Sequence, residues 1–207
     1  MVLTIVKYNA GNIQSVLYAL ERIGVEALVT DDHAQIKAAD KVIFPGVGEA
    51  SSAMRYLKER GLDEMLKNLT QPVLGICLGM QLMCKYSEEN DTECLGIFDE
   101  AVRKFSPSLP IAIGMERGQG GEVKVPQIGW NNIYDLKTNL FKGLPDNSYC
   151  YFVHGYYAAL GEHTIATTDY IQPYSSGLHR DNFYGVQFHP EKSANVGERI
   201  LKNFIEL

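Results

Sequence analysis

Pro72-Val73-Leu74-Gly75-Ile76-Cys77-Leu78-Gly79 carries an apolar strand into a helix through a turn, with a cysteine at its apex and a glycine two residues to either side. That is the layout of a nucleophile elbow. Large side chains at the flanking positions would collide with the strand or the helix, so the turn needs glycines there. The sulfur is then presented at the end of a sheet. The first backbone N–H of the helix points the same way, and a helix N-terminus both favours a thiolate and offers a donor to a developing oxyanion. The same pattern also suits a buried structural cysteine in a glycine turn, so residues elsewhere must decide between the two.

Working outward, the chain alternates strands and helices through its first half. Val2–Val6 is an apolar run suited to a strand buried on both faces, followed by the turn-forming Tyr8-Asn9-Ala10-Gly11-Asn12. Ile13, Val16, Leu17, Leu20 and Ile23 recur at helical spacing and Gly24 is placed to end that helix. Val25–Thr30 and Lys41–Phe44 read as further strands, the latter running into Pro45-Gly46-Val47-Gly48. Ala53, Met54 and Leu57 begin a helical pattern closed by Gly61, and Val73–Ile76 is the strand that enters the cysteine turn. This alternation predicts an α/β fold with a parallel sheet covered on both faces, where ligands gather at the carboxyl ends of the strands. The second half carries short segments, Tyr149–Val153, Thr164–Thr168 and Tyr184–Phe188, with a hairpin signal at Arg180-Asp181-Asn182, and predicts a partly antiparallel extension. Ser106–Pro126, rich in glycine and proline, reads as a long irregular loop. Val196, Ile200, Leu201 and Phe204 mark a closing amphipathic helix.

The 207 residues suit one domain with a core of its own. With 19 basic against 25 acidic residues and no basic cluster, nucleic acid is excluded as a partner. The start, Met1-Val2-Leu3-Thr4-Ile5-Val6, is strand-like rather than a signal peptide, and no apolar run is long enough to span a membrane, so a cytoplasmic location is expected. Cys77, Cys84, Cys94 and Cys150 show no metal-ligand spacing; reduced thiols are expected, the last three in the core, with neither metal nor cofactor.

A thiol that attacks an amide needs a base, and the base needs a third group to fix its tautomer. His189-Pro190-Glu191 supplies both partners within three residues and follows the strand-like Tyr184–Phe188, so Cys77 and His189 can meet across neighbouring strand ends. Glycines on both sides of Val47 let its peptide plane turn toward or away from the site as an oxyanion donor beside Leu78. Gln81, one turn after Cys77, shares its helix face, and Glu89 offers a carboxylate for a substrate ammonium.

Gly75-Ile76-Cys77-Leu78-Gly79-Met80-Gln81, Pro45-Gly46-Val47-Gly48 and Gln187-Phe188-His189-Pro190-Glu191-Lys192-Ser193 together resemble the class I, or triad, glutamine amidotransferases. Tyr8–Ile13, Ile128-Gly129-Trp130-Asn131 and Tyr151-Phe152-Val153-His154 are similar to the glutaminase subunits of imidazole glycerol phosphate synthases, and the likeness runs from residue 8 to residue 193. The resemblance implies one amidotransferase domain over 1–207, with Cys77, His189 and Glu191 as the triad and the backbone N–H groups of Val47 and Leu78 as the oxyanion hole. It also implies glutamine binding by Gly46, Gly48, Gln81 and Glu89. Asn12, Trp130, Tyr151 and Lys192 match positions that face a (β/α)₈ cyclase subunit, the implied heterodimer partner and ammonia acceptor in histidine biosynthesis. Three features depart from the pattern: Gln127 stands where a histidine is common, Gly155 where serine or threonine is usual, and Ile111–Glu122 is longer than typical. A glutaminase feeding another acceptor, such as an amidino-sugar enzyme, a free-standing thiol hydrolase and a non-catalytic regulatory partner are the competing readings.

Overall fold

The structure, a computed structural model, describes residues 1–9, 12–106 and 124–207. In chain order the first half runs β1 (Leu3–Val6), α1 (Ile13–Arg22), β2 (Ala27–Thr30), α2 (His33–Ala38), β3 (Lys41–Gly46), α3 (Ala50–Glu59), α4 (Leu62–Lys67), β4 (Val73–Cys77) and α5 (Leu78–Met83). Then follow β5 (Cys84–Ser87), β6 (Thr92–Glu93), β7 (Phe98–Lys104), β8 (Gln127–Ile133), β9 (Ser148–His154), β10 (Tyr156–Ala158), β11 (Thr164–Tyr170), β12 (Gln172–Arg180), β13 (Phe183–Val186) and α6 (Ala194–Glu206).

The main sheet has the order β2-β1-β3-β4-β13-β12-β10-β7-β5-β6, with β11 on β12. Its first five strands are parallel, and β12, β10 and β7 continue it antiparallel. The period of two divides the parallel strands between two cores. Leu3, Ile5, Ile43, Leu74 and Ile76 meet Val16 and Leu20 of α1 and Ile200, Leu201 and Phe204 of α6. Val6, Val42, Phe44 and Val73 meet Ile36, Met54, Leu57, Leu66 and Met80 on α2–α5. β8 and β9 form a separate two-stranded antiparallel sheet, whose inward Phe152 packs edge-on to Phe188 at 5.7 Å.

Predicted and observed elements agree with small shifts at their ends. β3 continues through Pro45 and Gly46, so the Pro-Gly-Val-Gly segment begins inside a strand rather than after one. Gly24, at φ +76°, ends α1 as expected. Gly61, at φ +64°, turns the chain into α4, a second helix that the sequence pattern does not reveal. Asp181-Asn182 makes the predicted hairpin, with Arg180 opposite Phe183. All four cysteines are unpaired and buried. Among the described residues no helix is long and apolar enough to cross a membrane. The predicted 106–126 loop lies almost entirely outside the described residues.

α5 rests on a strip of the sheet without side chains. Gly75 and Gly185 are register partners on β4 and β13. A Cβ on Gly75 would come 2.9 Å from Met80 N, and one on Gly185 would come 3.1 Å from Met80 Cβ. A Cβ on Gly79 would overlap the carbonyl oxygen of Phe44 outright. Gly79→Ala should therefore destabilise the fold by about 3 kcal/mol. Gly155→Ala, whose new Cβ would find Pro126 Cβ at 3.8 Å, should change stability by no more than ~0.5 kcal/mol. Urea-denaturation midpoints of the two variants check the contrast.

Candidate active site

The carboxyl ends of β3, β4 and β13 converge. Register sets Gly46 beside Cys77 and Val186 beside Ile76, so Val47 and His189 both leave the sheet next to the cysteine. Cys77 holds φ +54° and ψ −110°, a conformation that costs a non-glycine residue about 1–3 kcal/mol. The strain belongs to a turn in which β4 passes into α5 with no intervening residue. Leu78 is the first residue of α5, and its N–H is among those without an intrahelical acceptor.

His189 and Glu191 are both buried, with Nδ1 of the ring 2.8 Å from Glu191 Oε1. The Cys77 side chain lines the same cavity and is the ring's other electrostatic neighbour. Burial works against a charged ring, but the contacts with Cys77 and Glu191 override it and raise its pKa to about 10. Cys77 Sγ has Gln187 Nε2 at 3.7 Å and Val153 O at 3.8 Å. The other thiols are unsuited to attack, because burial pushes Cys94 and Cys150 up to about 12 and Cys84 well above its ordinary value.

These groups border a cavity of about 220 Å³. That is below the ~300–1,000 Å³ of sites for drug-sized ligands and suits a molecule the size of an amino acid. Val47, Gly48, Cys77, Leu78, Gln81, Glu89, His189 and Lys192 line it; so do His154, Gly155 and Tyr156. Gly46 and Glu191 stand directly behind the lining, whereas Asn12, Trp130 and Tyr151 lie outside it. Among the described residues no group of His, Cys, Asp and Glu is arranged to hold a metal.

The model for "Glutamine amidotransferase class-I" matches residues 4–207. The chain belongs to this family. It is 58% identical over the full length of both chains to the imidazole glycerol phosphate synthase subunit HisH of Bacteroides fragilis, and 54% identical, again over full lengths, to that of Bacteroides thetaiotaomicron. It is 44% identical to the HisH of Idiomarina loihiensis, covering 100% of this chain and 98% of that one. A solved structure described as a glutamine amidotransferase shares the fold at TM-score 0.71 and 18% identity, covering 100% of this chain and 98% of that one.

In this amidotransferase Gln81 and Glu89 are less free than their sequence positions suggest. Gln81 Nε2 donates to Tyr156 O and to Gln187 Oε1, both at 2.9 Å, so what it can offer a ligand is its carbonyl oxygen. Glu89 Oε2 accepts from Ala50 N at 2.7 Å, and burial raises its carboxyl above the ordinary range. Trp130 is 53% exposed. Its ring meets Tyr151 at 6.0 Å, and Lys192 Nζ lies 6.0 Å from the centre of the same Tyr151 ring, so three of the four expected interface residues form one surface cluster. Asn12 caps α1 through Ser15 N.

Gln187 and His154 were given no chemical role by the sequence alone. Gln187 sits two residues before His189, and that i, i+2 spacing along an extended segment is the signal that places both on one side. His154 is buried, with Nδ1 2.7 Å from Tyr156 O and Nε2 3.3 Å from Tyr174 OH. A backbone carbonyl only accepts, so Nδ1 carries the proton and Nε2, without one, faces the Tyr174 hydroxyl. The same hydroxyl donates to Gln127 Oε1 at 2.9 Å. Burial, aided by the nearby His189 and opposed by Tyr156 O, lowers His154 to about 4.

A raised histidine pKa contributes stability that is complete below about 6.5 and is lost as pH rises through about 10. Glu191→Gln removes one of the groups that hold the proton. Its His189 ring titration, followed by NMR, should fall by about one unit or more. The loss of stability between pH 6.5 and 10 should shrink with it.

Proposed function

We propose that this chain is the glutaminase subunit of an imidazole glycerol phosphate synthase, hydrolysing glutamine and handing ammonia to a cyclase subunit. The observation that carries the reading is a cysteine and a histidine on the wall of one amino-acid-sized cavity, the histidine held by a buried carboxylate. Full-length relatives named as HisH support it.

In the reaction the sulfur of Cys77 attacks the side-chain amide carbon, forming the C–S bond while the carbonyl electron pair moves to oxygen. The N–H groups of Val47 and Leu78 receive that oxyanion, Val47 by a turn of its glycine-flanked peptide. Collapse breaks the C–N bond as His189 delivers its proton to the leaving nitrogen, releasing ammonia. Water, its proton taken by the now neutral ring, attacks the thioester; glutamate departs and the sulfur is regenerated. The carbonyl oxygen of Gln81 and the carboxylate of Glu89 hold the substrate ammonium, whose charge offsets the desolvation that raises Glu89. Gly48 gives the close approach that the amino acid needs, and Gly46 supports it from behind by letting β3 lie against Leu78 and Gly79.

The cyclase seats on the face that presents Trp130, Tyr151 and Lys192, with Asn12 at its border. That face is joined to the base through the backbone. His189 N donates to Tyr151 O at 2.9 Å, Tyr151 N donates to Ser193 Oγ at 2.9 Å, and Ser193 Oγ donates to His189 O at 2.7 Å.

Cys77→Ala should reduce glutamine-dependent product formation by at least ~10³-fold while leaving ammonia-fed synthesis by the cyclase complex intact. Paired assays with glutamine and with ammonium chloride, read by product identification, test chemistry and acceptor together; loss of both activities refutes the assignment. His189→Ala should cost about 10²–10⁴-fold and more than Glu191→Gln. Lys192→Ala should lower the stimulation of glutamine hydrolysis by ligand-occupied cyclase more than it lowers hydrolysis by the isolated chain. Equal loss in the two assays would remove Lys192 from the coupling face.

A further inference from the structure

Gln187 is wholly buried, and its amide is oriented without ambiguity. The chain of reasoning starts at Tyr156 O, a backbone carbonyl that can only accept. The Gln81 side-chain atom 2.9 Å from it must therefore be the NH₂. The same nitrogen lies 2.9 Å from the Gln187 side chain, which must present its carbonyl oxygen there. The other end of the Gln187 amide is then the NH₂, and it faces Cys77 Sγ at 3.7 Å. The opposite orientation would set two NH₂ groups against each other inside the protein and turn an oxygen lone pair toward the sulfur. The polarity Tyr156 O ← Gln81 → Gln187 → Sγ is imposed by a group that cannot be reversed.

A thiol and a thiolate see this arrangement differently. The thiol proton has an acceptor in Val153 O at 3.8 Å. The thiolate is served by donors, and in this pocket those are the His189 ring and the Gln187 amide. An amide donor is neutral. It favours the anion without competing with His189 for a proton, and it is in place again when the thioester breaks and the thiolate is released. Its side chain is partnered by Gln81 and Cys77 rather than by His189 or Glu191, which makes its contribution separable from theirs.

We propose that Gln187 is a second activator of the nucleophile, a neutral hydrogen-bond donor to the Cys77 thiolate whose direction is locked by Gln81 and the Tyr156 carbonyl. The inference rests on the reading of Cys77 as the attacking group. It adds a role for Gln81 as a positioning residue for the amide behind the sulfur, alongside its carbonyl oxygen's service to substrate.

The test is the pH dependence of Cys77 alkylation by iodoacetamide, followed by mass spectrometry on the isolated full chain, which needs neither glutamine nor a cyclase. Gln187→Glu keeps the shape but puts a carboxylate oxygen against the sulfur; the rate at pH 7 should fall at least tenfold and the profile should move to higher pH. Gln187→Met removes the donor without adding charge and guards against a folding failure of the glutamate variant; a loss of about three- to tenfold in the same direction is expected. Gln81→Met does not touch the sulfur, yet by freeing the Gln187 amide to turn it should also slow alkylation. Wild-type profiles for Gln187→Met and Gln81→Met, both folded by circular dichroism, overturn the proposal. So does slowing that is uniform across pH, which would mark altered access rather than altered ionisation. If wild-type protein alkylates as expected but hydrolyses no glutamine with any cyclase, the proposed function fails while the alkylation series still decides the role of Gln187.

Discussion

The closeness of α5 to the sheet is the constraint on which the site depends. Gly75 on β4 and Gly185 on β13 form a bare strip under Met80, and Gly79 lies against the carbonyl of Phe44. Only with all three positions empty can a helix begin immediately at the end of β4. That abrupt start forces Cys77 into positive φ and sets its sulfur at the level of the β3 and β13 ends. The strain at Cys77 is sustained by burial on both faces: β4 is buried throughout, and so is every residue of α5. A side chain anywhere on the strip would displace the helix, and with it the first N–H and the nucleophile together.

Electrostatically the pocket is divided between two histidines. His154, buried against Tyr156 O and Tyr174, is held neutral down to about pH 4; His189, beside Cys77 and Glu191, keeps its proton up to about pH 10. Burial acts on both in the same direction, and the difference arises from their partners: carbonyl and hydroxyl oxygens in one case, a thiol and a carboxylate in the other. The two rings are thus pushed in opposite directions, and the one whose charged form is favoured is the one beside the nucleophile.

The parallel half of the fold was legible because β1, β3 and β4 are buried on both faces and read as apolar runs. Its glycine turns at 46–48 and 75–79 have steric reasons that can be stated without coordinates. The middle of the chain was not legible in this way. β5 follows α5 with no turn residue to mark the change of period, and β7 reads Phe-Asp-Glu-Ala-Val-Arg-Lys because one of its inward residues is Glu100, matched 3.1 Å away by His163. α2 buries Ile36 alone, too little for periodicity to register. In the site, Cys77, His189 and Glu191 announced themselves by motif. The partners of Gln81 and the proton arrangement around His154 depend on contacts between distant strands, which spacing along the chain does not encode.

β9 alternates strictly: Tyr149 and Val153 are exposed and Tyr151 half-buried, while Cys150, Phe152 and His154 turn inward. Its main chain, meanwhile, touches the machinery directly, with Val153 O near the sulfur and Tyr151 O on the base. The partition between the nucleophile and the outer face is therefore a single strand thick. Tyr151, whose side chain another molecule would grasp, is the residue whose carbonyl holds the base, and, two residues on, the carbonyl of Val153 lies near the sulfur. A bend of a few tenths of an ångström in that strand would be felt inside at once, with no intervening layer of side chains to absorb it.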